Sequence, residues 1–320
     1  MTDRFNQDCS LIADFAKGRM HFMLREANET FPLLYMVPGS VYSKTSWDWD
    51  AFFGGVAFGE GEYARHFEGA MRNFLSFQQE GGYIPYNLSI NPADNRKAGT
   101  SNPAKPLLTQ GLLIALRQQG RRFGEQPWAR DAYQTLNRYQ GHLRERHLDP
   151  RGFLTLMSHR GCGTDNIPTV YGRPALSTAP LLHNVFFLRE LAAMAVIADQ
   201  LGLADDAADY RARHDALAHE MNARMWDPID GLYYDQDVQS RTPERVTQEV
   251  TWTLPLKIRS WTCFLPLLTD IVPPDRATRT IDEHLLDQRH FWSDFGVRTL
   301  SMQEPLFLNG YANKPGNPSN

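Results

Sequence analysis

The 320-residue chain is 42% hydrophobic and 22% charged, with a formal net charge of −4 and its lysines and arginines scattered along its length. That composition is ordinary for a folded globular protein and leaves no electrostatic footprint for nucleic acid or an anionic membrane surface. The three cysteines, Cys9, Cys162 and Cys263, are odd in number and widely spaced, which argues against a disulfide framework and against a structural zinc site.

The first residues, Met1 to Asp8, lack the basic start and apolar run of a secretory signal, and no apolar stretch reaches the roughly 18 residues of a membrane span; a cytoplasmic protein is expected. No Ser/Pro/Gly-rich linker or charge run divides the chain, so residues 1–320 are read as one domain. Helix-period patterns run over 8–28, 48–60, 62–79, 106–119 and 127–146.

The second of these opens on Trp47-Asp48-Trp49-Asp50-Ala51-Phe52-Phe53. Indole rings interleaved with carboxylates suit a carbohydrate pocket, because sugars offer apolar C–H faces for stacking and a hydroxyl rim for hydrogen bonding. The same segment also reads as a helix start whose large side chains enter a core while its aspartates cap the first turn. Short strand-like pieces at Tyr83-Ile84-Pro85-Tyr86 and Gly231-Leu232-Tyr233-Tyr234 read as loop hairpins, the first demoted further by Pro85.

A polar loop follows at Gly161-Cys162-Gly163-Thr164-Asp165-Asn166-Ile167-Pro168. Cys162 is assigned to small-residue packing rather than nucleophilic chemistry, since nothing in its spacing supplies an activating group. From Asn184 the residues Phe187, Leu188, Leu191, Ala195, Ala198 and Leu201 form one apolar stripe that stops at Gly202. A second helix starts at Asp205 or Asp206, buries Tyr210, Leu217, Met221 and Met225, leaves Arg211, Arg213 and Glu220 to water, and ends before Pro228. Helices over 260–269 and 274–287 bring the number to about nine. Long, irregular polar loops between helical hairpins favour a toroid of paired helices over a solenoid.

With these motifs in order, and with Asn184-Val185-Phe186, Met225-Trp226-Asp227, Phe264-Leu265-Pro266-Leu267 and Phe295-Gly296-Val297, the chain resembles the (α/α)6-barrel glycoside hydrolases of the glucosidase I, mannosylglycerate and glucosylglycerate hydrolase group, with trehalases as more distant cousins. The resemblance runs nearly end to end. It implies an all-α toroid of six helical hairpins and a cofactor-independent, metal-free inverting glycosidase acting on a small α-linked glucoside or mannoside. It carries the general acid onto Asp165, and a carboxyl among Gly163, Ile167, Pro168 and aromatics would be partly desolvated and so keep its proton. An Asp-Asn turn is the competing reading of Asp165 and Asn166.

The resemblance also puts Tyr42, Trp47, Trp49 and Asp50 around the sugar, with Asp48 as a helix cap. It places Gln110 where relatives have a polar substrate contact, although a helical surface glutamine reads equally well. Asn166 joins the substrate-binding set, and Arg173 would meet sugar hydroxyls or an aglycone carboxylate, with a plain salt bridge as its alternative. Leu182-His183-Asn184 stands where relatives often have Asp-Leu-Asn, and His183 is expected to be satisfied by backbone rather than to touch ligand. Inversion needs a second carboxylate that activates water, and the resemblance places it beyond Asn320, so the toroid is expected to be incomplete at its C-terminal end. Glu304 is expected to cap or pair in a loop, not to act as that base. A carbohydrate-binding protein without turnover, and a sugar epimerase using histidines, are the alternatives.

Overall fold

The computed structural model describes residues 3–59, 61–95, 102–164, 167–238 and 253–308. The chain forms two compact units, one of Met1–Gly141 with Val196–Ala207, the other of His142–Ala195 with Ala208–Asn320. Nine α-helices, short 3-10 and π turns and eleven short strands occur among the described residues, so the fold is predominantly helical, as expected.

In the first unit the described chain begins with α1 (Asp3–Lys17). The helix expected over 8–28 stops there, because Gly18 is a poor helix former and the following residues find a better partner in β-pairing. After a 3-10 turn at Met20–Phe22, β1 (Leu24–Arg25) pairs antiparallel with β2 (Tyr35–Met36). Next come β3 (Thr45–Trp47), α2 (Asp48–Phe58), α3 (Ala64–Ser76), β4 (Asn87–Ser89), α4 (Leu108–Gln118) and the start of α5 (Ala129–Arg146). The β3–β4 pairing is a strand feature that the periodicity does not show; it puts Trp47 opposite Asn87.

The core of this unit takes Phe52 from α2, Phe67, Met71 and Phe74 from α3 and Leu112 and Leu116 from α4, all buried. Helices α2 and α3 approach closely because Gly55 has no side chain: a Cβ there would lie 2.1 Å from the Phe67 ring. Gly69 on α3 does the same against the Leu34 carbonyl, also at 2.1 Å.

In the second unit β5 (Thr178–Ala179) leads into α6 (Leu181–Gln200), which belongs to this unit up to Ala195, and α7 (Ala204–Glu220), which belongs to it from Ala208, ends in a π turn at Met221–Met225. The expected apolar stripes are buried: Phe187, Leu188 and Leu191 on α6, and Tyr210, Leu217, Met221 and Met225 further on. Arg213 departs from expectation. It is half-buried with its guanidinium 5.1 Å from the Tyr210 ring centroid, not left to water. Helix α6 is long and apolar enough to cross a bilayer, with a mean hydropathy of 1.6, a property the sequence reading does not credit to any segment; 83% of that window is buried in the protein, as in a core helix.

A tight hairpin of β6 (Trp226–Asp227) and β7 (Leu232–Tyr233) follows α7. Then β8 (Asp235–Val238) becomes the central strand of a three-stranded antiparallel sheet with β5 on one side and β9 (Thr253–Leu256) on the other. The segment expected as a helix over 260–269 is a 3-10 helix, Trp261–Leu268, with Pro266 inside it and so one backbone donor missing. The helix expected over 274–287 is α8 (Pro274–Thr280) followed by a π turn at Ile281–Leu285. The hairpin of β10 (Trp292–Ser293) with β11 (Gly296–Val297) and the single turn α9 (Pro305–Leu308) complete the described chain.

Candidate active site

The aromatic segment of the first unit is organised by one buried carboxylate. Trp47 ends β3 in an extended conformation, and the Asp48 N–H donates to the Tyr86 carbonyl at 3.0 Å, which fixes where α2 starts. Asp48 itself is 0% exposed. The N-cap position is Trp47, not Asp48, and no side chain caps there; Asp48 is the first helical residue and its Oδ1 accepts the adjacent Trp49 N–H at 2.6 Å. Its main partner is distant: Lys105 donates its backbone N–H to Oδ2 at 2.5 Å and its Nζ lies 3.0 Å from Oδ1. Lys105 is 4% exposed, so both charges are out of water and each depends on the other.

Rings collect around this pair. The Trp47 ring lies 6.3 Å from Tyr42 at 72° and 5.7 Å from Tyr86 at 47°, both within the range of favourable edge and tilted contacts. The Trp49 ring is 4.7 Å from Phe53, and the Lys105 ammonium sits 5.7 Å from the centroids of both Trp49 and Tyr86. Tyr42 is 57% exposed and Trp47 and Trp49 are part-exposed. The cluster is thus a surface that a ligand can reach, built on a buried ionic base. The Trp47 Nε1–H is shielded from water and has no hydrogen-bond acceptor among the described residues, so what this side chain offers a ligand is its ring face and not its donor.

Tyr42 and Trp47 are in ring contact, while Trp49 packs on Phe53 and beside the Lys105 ammonium. Asp50 lies in the first turn of α2, part-exposed. Gln110 is buried on α4, where its Nε2 donates to the Pro106 carbonyl at 2.6 Å. Tyr86 and Lys105 are participants that the sequence reading missed. The signal available was the carboxylate itself: an aspartate flanked by two indoles at a helix start needs a cation once it is buried.

In the second unit Asp165 and Asn166 lie outside the described residues. Cys162 is buried in a small cluster with Leu156, Ile167 and Val170 and donates its Sγ–H to the Thr164 carbonyl at 3.0 Å, the packing role expected of it. The Ile167 N–H donates to the Thr164 carbonyl at 2.9 Å, and the Val170 and Tyr171 N–H groups both donate to the Ile167 carbonyl. Arg173 makes the salt bridge that was its alternative reading, with Nη2 2.8 Å from Asp237 and Nε donating to Thr178 Oγ1 at 2.9 Å.

His183 is buried on α6. Glu304 is buried and accepts the Arg259 N–H at 3.2 Å, a loop contact as expected. Asp235, which the sequence reading passed over, is buried on β8 and accepts hydrogen bonds from Thr169 Oγ1 and from the Leu181 N–H. Burial pushes its carboxyl above the usual range, against the pull of those two bonds. Among the described residues no group of three or more His, Cys, Asp or Glu side chains is placed to hold a metal ion.

Residues 42–311 match the family model described as the Mannosylglycerate hydrolase MGH1-like glycoside hydrolase domain. The chain belongs to this family. It is accordingly a glycoside hydrolase by membership, and the matched span contains both the aromatic cluster and the Asp165 loop. Among solved structures it is similar to the GH63 mannosylglycerate hydrolase from Thermus thermophilus in complex with glucose, at 14% identity and a TM-score of 0.63 over 92% of this chain and 80% of that one. The neutral trehalase Nth1 from Saccharomyces cerevisiae is similar at 14% identity and a TM-score of 0.63, over 91% of this chain and 64% of that one. At such identities the likeness is one of fold, that of the six-hairpin glycosidases. No curated protein matches the chain in sequence.

Proposed function

We propose that this glycoside hydrolase cleaves a small α-linked glucoside or mannoside with inversion, holding the sugar on Tyr42, Trp47, Trp49 and Asp50 and protonating the departing oxygen with Asp165. The observation that carries the reading is the ring cluster of the first unit, where Tyr42, Trp47 and Tyr86 are in ring contact and Tyr42, Trp47 and Trp49 are each at least part-exposed. Flat, accessible rings supply the stacking that the apolar face of a sugar takes. Gln110 and Asn166 complete the polar contacts in this reading. Among the described residues Asp237 engages Arg173 Nη2 and Thr178 its Nε, and in this reading Nη1 meets a substrate carboxylate. The three free thiols suit work in a reducing cytoplasm.

The test is a panel of glucosylglycerate, mannosylglycerate, trehalose and nitrophenyl α-glycosides, with the first-formed anomer read by proton NMR. Asp165→Asn is expected to abolish hydrolysis while leaving ligand affinity within about tenfold, since a proton donor acts in the transition state and ground-state contacts remain. Undiminished turnover by Asp165→Asn removes Asp165 from the mechanism, and a retained anomer removes inversion.

A further inference from the structure

Arg259, between β9 and the Trp261–Leu268 turn, is a cation without a counter-ion. It is part-buried, its Nε is shielded from water, and its guanidinium makes no hydrogen bond and no ion pair among the described residues. Other part-buried arginines of this chain meet a carboxylate: Arg121 lies 2.6 Å from Glu68, Arg151 3.3 Å from Asp149 and Arg173 2.8 Å from Asp237. A cation drawn out of water with nothing to pair it works against folding, so the position calls for an anion that arrives from solution.

Arg259 lines a cavity of about 380 Å³ together with Arg289, His290 and Gln303, all in the second unit. Arg289 gives Nε and Nη2 to Asp287 Oδ2, at 3.1 and 2.6 Å, and its Nη1 has no partner among the described residues. His290 meets Ser301 Oγ through Nδ1 at 3.0 Å. Two carboxylates stand close by, and neither pairs with the Arg259 guanidinium: Asp287 holds Arg289, and Glu304 takes the main-chain N–H of Arg259 at 3.2 Å. The main chain keeps these segments in register before any ligand arrives. The Ser301 N–H donates to the Arg259 carbonyl at 2.9 Å, the Trp261 N–H to the Thr299 carbonyl at 2.9 Å, and the Met302 N–H to the His290 carbonyl at 3.0 Å. The Gln303 N–H donates at 3.1 Å to the same Ser301 hydroxyl that meets His290. Arg259, His290 and Gln303 are thus fixed relative to one another at the backbone, which lowers the ordering cost of binding.

We propose that this cavity is a binding site for the oxyanion end, carboxylate or phosphate, of a small metabolite, with the Arg259 guanidinium as the fork that takes two of its oxygens and with Arg289, His290 and Gln303 around it. A guanidinium suits the task because its planar donors match the paired oxygens of either group. Since Asp287 neutralises Arg289, Arg259 supplies the uncompensated charge. His290 senses an electropositive lining: burial first, then His284, and further Arg259 and Arg289 lower its pKa, against the pull of Asp287. The cavity is larger than a bare carboxylate or phosphate, so the anion is one end of a larger solute. None of these groups belongs to the ring cluster or to the Asp165 loop, and binding here stands or falls apart from the hydrolytic reading.

The probes are inorganic phosphate and acetate, titrated separately into the full chain at an ionic strength held constant with sodium chloride. Binding is read from the imidazole C–H resonance of His290, assigned with His290→Gln, and from the melting temperature. At least one of the two anions is expected to shift that resonance saturably and to raise the melting temperature; tighter binding of phosphate identifies the occupant as a phosphate ester, tighter binding of acetate as a carboxylate. Arg259→Met is expected to weaken the tighter anion roughly tenfold or more, the worth of one charge-assisted hydrogen bond. Without anion it is expected to melt no lower than the unsubstituted protein, because it removes an unpaired cation and not a contact. Should Arg259→Met not fold, Arg259→Lys keeps the charge, loses the fork and is expected to weaken the same anion. Absence of a saturable response to either anion overturns the proposal, as does a response that sodium chloride alone reproduces. Unchanged affinity in whichever variant folds overturns it too, and a large drop in melting temperature beside that unchanged affinity would make Arg259 a structural residue.

Discussion

Lys105→Met leaves the Asp48 carboxylate at 0% exposure without its cation. At 3.0 Å and an effective dielectric of about 20, the lost attraction is about 5 kcal/mol. Measured losses of one partner from a buried pair run at about 3–5 kcal/mol. The lower end, about 3 kcal/mol, is expected here, because the N–H groups of Trp49 and Lys105 go on donating to the same carboxylate. The assay is urea unfolding followed by tryptophan fluorescence, which reports Trp47 and Trp49 beside the pair. The double variant Asp48→Asn/Lys105→Met removes both charges and is expected to recover about 2 kcal/mol of the loss, so that the cycle returns a clear coupling energy. A cost below about 1 kcal/mol for Lys105→Met, or no recovery in the double variant, would show that the two groups do not depend on each other in the way their burial requires.

Trp49→Ala is expected to weaken sugar binding through lost stacking, and unchanged affinity with a large drop in melting temperature would make that ring core instead. Gly55→Ala drives a methyl to 2.1 Å from the Phe67 ring and is expected to cost about 1–3 kcal/mol in thermal or urea unfolding. Burial lowers the pKa of His66, His284 and His290 below the usual imidazole value, His284 even though its Nε2 lies 2.7 Å from the Asp230 carbonyl. The folded state then binds fewer protons than the unfolded chain, so stability is full above the unfolded value of about 6.5 and falls as pH drops below it. Melts at pH 7.5 and 5.5 check this, with His284→Gln expected to flatten part of the slope.

The helical architecture was legible because burial of one face imposes a period that survives in a single sequence. The stripes Phe187-Leu188-Leu191 and Tyr210-Leu217-Met221-Met225 were read correctly for that reason. Errors fell where a local pattern competes with a distant partner. Residues after Gly18 keep helical spacing but pair as β1 with β2, and Trp261–Leu268 is apolar in the right rhythm yet winds as 3-10 around Pro266. The strands β3, β4, β5 and β8 were invisible because two to four residues are too few to show a period of two. At the candidate site, the aromatic segment stood out in the sequence, but it read equally as a helix start, and only the resemblance put its rings around a sugar. The groups that hold them in place did not stand out.

Asp48 and Asp235 show why, and what separates the two cases. Each is a buried aspartate that serves the first turn of a helix, α2 for one and α6 for the other, and each finds its remaining partner more than fifty residues away, at Lys105 and Thr169 respectively. A single sequence records neither distance. Physics nevertheless distinguishes their purposes once the partners are known. Asp48 is neutralised by an ammonium, so its burial is compensated and its removal should register chiefly in stability. Asp235 faces only neutral donors, so burial raises its pKa and works against the carboxylate at neutral pH. Asp235→Ala strips the acceptor from the Leu181 N–H and the Thr169 hydroxyl together and is expected to cost about 1–3 kcal/mol in urea unfolding for each donor left unsatisfied. Asp235→Asn, which keeps an oxygen and removes the charge that burial opposes, is expected to cost less, and equal losses from the two variants would show that neither the acceptors nor the buried charge counts as this argument requires.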